Sequence, residues 1–168
     1  EHAFERWFPW FSGGMPIENA YQPLLPALTA VVSLLTGLSA ARSLHFLMAL
    51  VYCLGPVTLF WFALDWSKSL RVAGFAGVAY SLLSPATFLV PVLAKNMGPQ
   101  PGPLRLFNIG RYAEDPHNLA LTLLPVAFLF LRRAIQTRTP GSVIGAVISC
   151  AAVVAVNAFG GTDLVLGG

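Results

Sequence analysis

Charge is the scarcest thing in this sequence. Asp, Glu, Lys and Arg make up 10% of the 168 residues and hydrophobic residues 56%. Soluble domains carry about a quarter charged and about 45–50% apolar residues. That balance excludes a soluble enzyme, and it excludes a disordered chain as well. Two cysteines are too few for a disulfide-stapled secreted scaffold. The ten Lys and Arg are scattered and leave a net charge of +3, so no basic face for nucleic acid is expected. Three histidines, at positions 2, 45 and 117, have no short zinc-ligand spacing. G-x-S-x-G, P-loop and Rossmann glycine patterns are missing. No ionisable residue falls in the middle of an apolar run, which speaks against a proton- or ion-coupled pathway in this window.

What is there is hydrocarbon-like sequence in runs long enough to span a bilayer, about 18–20 residues each. Charge-free runs cover residues 21–41, 46–64, 72–94, 118–131 and 141–159. They predict an all-α, polytopic transmembrane helical bundle, a multi-pass protein of the cell inner (plasma) membrane. Residues 1–168 read as one membrane domain. The start at Glu1 and the close on a short apolar tail predict a fragment of a longer chain. Prolines inside the runs are compatible with membrane helices, where neighbours re-satisfy the freed backbone groups. Cys53 and Cys150 fall inside runs and read as small apolar residues.

Two polar segments carry the ionisable chemistry. The first, residues 1–20, mixes Glu1, His2, Glu5 and Arg6 with Trp7, Phe8, Trp10 and Phe11. Its aromatic rings suit the headgroup level, which predicts an interfacial N-terminal helix. Glu1 and Glu5 then lie one turn apart on one face. Two readings stand: a surface connector with solvated charges, or carboxylates facing a cavity. The second segment closes the long loop 95–117 with Arg105, Arg111, Glu114, Asp115, Pro116 and His117. Glu114, Asp115 and His117 suit a general base or a divalent cation such as Mg or Mn. Asp115-Pro116 is equally a sound helix start, which accounts for Asp115 but leaves Glu114 and His117 unexplained.

Together these segments resemble a known family. The acidic opening, Gly13-Gly14-Met15-Pro16 and Tyr21-Gln22-Pro23-Leu24 resemble the first extracytoplasmic loop of GT-C-type membrane glycosyltransferases. Gly110-Arg111-Tyr112-Ala113-Glu114, then Leu119-Ala120-Leu121 and Leu124-Pro125, resemble one branch, the bacterial 6-pyruvoyl-tetrahydropterin synthase-related membrane proteins. That label is not an activity, since the pterin synthase is a soluble enzyme with a three-His zinc site. The resemblance implies a GT-C-like fold and transfer of a sugar from a polyisoprenyl-phosphate donor on the outer face. The family's acidic residue would fall at or just before Glu1. In that chemistry Glu1, Glu5 or Glu114 would be the catalytic carboxylate, and Arg105 or Arg111 would bind the substrate phosphate. His2, Asp115 and His117 would give metal or polar support. A non-catalytic scaffold or lipid-handling subunit is the alternative, and a transporter the third.

Orientation follows from the basic residues. Arg132, Arg133 and Arg138 predict a cytoplasmic turn. Alternation then puts the loop 95–117 outside, the Lys68/Arg71 turn inside and Arg42 outside. It also puts residues 1–20 inside, whereas the resemblance requires both polar segments on one side. Either the first run fails to cross fully, or one other hydrophobic run is a re-entrant or interfacial helix; the former is favoured, because Pro23 and Pro26 disrupt its opening turns.

Overall fold

The computed structural model describes residues 7–8, 15–16, 23–82, 92 and 115–167. Among these, six helices hold nearly all the structure: α1 Leu24–Thr36, α2 Ala40–Ser67, α3 Leu70–Leu82, α4 Asp115–Thr137, α5 Pro140–Val156 and α6 Ala158–Gly167. The all-α class is as expected. The interfacial N-terminal helix needs correction at the four residues described there. Strand β1 (Trp7–Phe8) pairs antiparallel with β2 (Met15–Pro16), with Trp7 opposite Pro16 and Phe8 opposite Met15. Pro9, Gly13, Gly14 and Pro16 explain it, because each disfavours a continuous helix over this stretch.

Helix ends follow local chemistry. Gly37 stops α1 in the left-handed region at φ 69°, and its N–H donates to the Ser33 carbonyl at 2.9 Å. At 13 residues α1 is about 20 Å long, short of the ~30 Å hydrocarbon core. Ser39 then caps α2, its hydroxyl accepting from the Arg42 N–H. Thr139 caps α5 in the same way toward Ser142, with Pro140 at the first helical position. Lys68 and Arg138 end α2 and α4 in the left-handed region, at φ 54° and 52°. Asn157 breaks the last apolar run into α5 and α6, a division that charge-free length alone does not reveal.

α2 and α4, of 28 and 23 residues, are long and apolar enough to cross a membrane. In a soluble protein such helices form the core, yet only 28% and 33% of their most apolar windows are buried. Leu34, Leu35, Phe75, Val165 and Leu166 are each more than 70% exposed.

The two long helices run parallel, and their contacts advance in step. Thr122 Oγ1 donates to the Val51 carbonyl at 3.3 Å, Phe62 meets Phe128 further along both helices, and Arg132 meets Asp65 beyond that. Short turns fold α3 back on α2 and α5 back on α4. The apolar core sits toward the starts of α2 and α4, where Leu47, Met48 and Val51 pack with Leu25, Leu119, Ala120 and Val156. Small residues let backbones close in: a Cβ on Gly145 would stand 2.5 Å from the Phe130 ring.

Candidate functional site

The parallel pair creates two polar ends separated by an apolar middle. The first end contains the starts of α2 and α4. Asp115 opens α4 and places its carboxylate in the first turn, where the positive end of the helix dipole favours it. His45, exposed on α2, lies at the same end as Asp115. His117 and Asp115 are half-buried, and Asn118 behind them is buried. Ser43, fully buried on α2, has a hydroxyl without a hydrogen-bond partner.

The structure thus puts His45 and Asp115 at the same end of the helix pair, a placement that sequence spacing does not suggest because 70 residues separate them. Of the residues expected to form the site, Asp115 and His117 lie at this end. Glu1, His2, Glu5, Arg105, Arg111 and Glu114 lie outside the described residues. Among the described residues, no three His, Cys, Asp or Glu side chains gather where they could hold a metal ion.

The second end contains the close of α2 and the close of α4, and it carries a denser cluster. Asp65 Oδ1 accepts from Lys68 Nζ at 3.2 Å and from an Arg133 guanidinium nitrogen at 3.3 Å. Its Oδ2 accepts from Arg132 at 3.0 Å, and the same Arg132 nitrogen donates to the Asp65 carbonyl at 2.9 Å. The Arg132 guanidinium also lies 5.1 Å above the Trp66 ring, a cation–π contact, and Trp66 in turn packs on Phe62. Arg132 is therefore held on three sides, whereas Lys68 and Arg133 are 70% and 48% exposed.

Beside this cluster a cavity of about 630 Å³ opens between α2 and α4. Lys68, Asp65 and Arg133 stand at its mouth. Thr58, Trp61 and Leu64 form one wall, and Val126, Leu129 and Phe130 the other. Sequence reasoning used the basic residues only for orientation and passed over Asp65. The one available signal was an acidic residue at the end of a span, with Lys68 three positions on.

In comparison with known proteins, no family model, no curated protein and no solved structure matches this chain.

Proposed function

We propose that the chain is part of a multi-pass inner-membrane protein with GT-C-like architecture. It transfers a sugar from a polyisoprenyl-phosphate donor to an acceptor on the outer face. One observation carries this reading. Two long, largely uncovered apolar helices run parallel, so that the starts of both, with His45 on α2 and Asp115 on α4, lie at one end, where the segment ending in Glu114 leads into α4. A lipid-borne phosphate requires such a place, at the boundary of hydrocarbon and water beside ionisable groups.

The chemistry assigned to the chain is simple. The acceptor oxygen attacks the anomeric carbon, and the bond from that carbon to the phosphate oxygen breaks. The electron pair leaves with the polyisoprenyl phosphate, and the hydroxyl proton passes to a carboxylate, for which Glu114 is the first choice. Glu1 and Glu5 are the other candidates. Arg105 and Arg111 stabilise the departing phosphate, since guanidinium pairs bidentately with it. His2, Asp115 and His117 give polar support, or would ligate Mg or Mn if the reaction uses a divalent cation.

The test is sugar transfer from polyprenyl-phosphate donors by the full-length protein in membranes, followed by mass spectrometry. Glu114→Gln should lower the rate by about 10²–10⁴-fold at unchanged expression. Asp115→Asn should be milder, because Asn suits a helix start about as well as Asp. Full activity in Glu114→Gln would refute the assignment of the base. Absence of transfer by the wild-type protein would select the scaffold or lipid-handling reading, with a transporter behind it.

A further inference from the structure

The cationic end of the helix pair plays no part in the proposed transfer, yet it is built with more care than a topology signal requires. Three cations meet one carboxylate, so two positive charges remain uncompensated. Arg132 is committed to Asp65 and to the Trp66 ring. Lys68 and Arg133 each spend one donor on the same Oδ1 and are 70% and 48% exposed, which leaves further donors on each. Asp65 thereby holds the two exposed cations side by side, the arrangement that an oxyanion with several acceptors bridges.

The cavity continues from these cations along the helices. Thr58 lies ten residues before Lys68 on α2, so the groove runs about 15 Å, half the ~30 Å hydrocarbon core. Its walls beyond the mouth are Trp61, Leu64, Val126, Leu129 and Phe130, with Thr58 the single polar side chain. Thr58 spends its hydroxyl on the Gly55 carbonyl at 2.9 Å and offers a methyl group. The volume, about 630 Å³, falls within the ~300–1,000 Å³ of small-molecule sites. A soluble anion would occupy the mouth and leave this apolar length bare.

We propose that the groove between α2 and α4 binds an anionic phospholipid. The headgroup phosphate bridges Lys68 and Arg133, and one acyl chain lies between Trp61 and Leu129. Basic pockets between membrane helices on the cytoplasmic side bind anionic headgroups in this way, and the excess of Lys and Arg puts this end there. The inference is independent of the transferase reading, which concerns the opposite end.

The experiment uses the full chain in nanodiscs of equal parts phosphatidylcholine and phosphatidylglycerol, with lipid retained after mild extraction counted by native mass spectrometry. Wild type should retain one phosphatidylglycerol in preference to phosphatidylcholine, and millimolar inorganic phosphate should not displace it. The double variant Lys68→Gln/Arg133→Gln should weaken retention about thirtyfold, the equivalent of two interfacial cations. Leu129→Trp should abolish retention by filling the groove while leaving both cations in place. Arg71→Gln, outside the groove, should change nothing. Equal retention of the two lipids by wild type would overturn the proposal. So would undiminished retention in Leu129→Trp, displacement by phosphate, or an Arg71→Gln effect as large as that of the double variant. Should the double variant fail to fold, Leu129→Trp and wild type decide alone.

Discussion

Asp65 and Asn157 show how much of this molecule rests on single polar side chains in apolar surroundings. Asp65 gathers Lys68, Arg132 and Arg133, and asparagine in its place keeps the volume but loses the charge and one acceptor. Asp65→Asn should lower stability by about 1–2 kcal/mol, because Arg132 is left partly buried with a weaker partner. Thermal unfolding in detergent micelles, followed by near-UV circular dichroism, reads the change. Asn157 acts by hydrogen bonds alone. Its side-chain oxygen accepts the Phe159 N–H at 2.9 Å, and its carbonyl accepts the Gly161 N–H at 3.3 Å. Asn157→Ala removes the first bond and the cap of α6, a loss of about 1 kcal/mol in the same assay.

Between elements, close approach rather than polarity sets the packing. α5 lies against α4 where Gly145 meets the Phe130 ring, and no Cβ fits there. Gly145→Ala should destabilise the protein by about 1–3 kcal/mol, as overpacking of a tight contact does. In a Phe130→Ala background the ring is gone, so the same substitution should cost far less. A double-mutant cycle of unfolding midpoints checks it, and additive effects would mean that the two helices do not meet at this pair. The element scale is also where α1 acquires its length. The charge-free run 21–41 has enough residues to span a bilayer, but Gly37 in the left-handed region ends the helix after 13.

For the whole molecule, the parallel course of α2 and α4 turns sidedness into a linked set of expectations. The starts of both helices share one face and their ends share the other. With Cys53 and Cys150 replaced by alanine, single cysteines at Ala41 and Asn108 should react with a membrane-impermeant maleimide in intact cells. Cysteines at Ser69 and Thr137 should react only after permeabilisation. Full inversion of that pattern would reverse the orientation and move the proposed transfer to the cytoplasmic side. Labelling of Ala41 and Thr137 from the same side would contradict the fold itself.

Composition and charge spacing alone made it legible that the described residues are mainly helical, and two of the five charge-free runs lie in the long helices. The run 46–64 lies within α2, and 118–131 lies within α4. Those features are properties of single residues, namely the preference of each side chain for hydrocarbon and the reluctance of charge to enter it. Candidate chemistry was legible only as residue type: Asp115 and His117 stood out because carboxylates and imidazoles are rare here. Only the tertiary structure decided that α2 and α4 run parallel. It also decided that His45 and Asp115 fall at the same end and that Asp65 collects three cations beside a groove. Those facts join residues 67 to 71 positions apart through side-chain shape and directed hydrogen bonds. In a sequence with almost no charge, every apolar helix face resembles every other, so partner choice is invisible until the faces are packed.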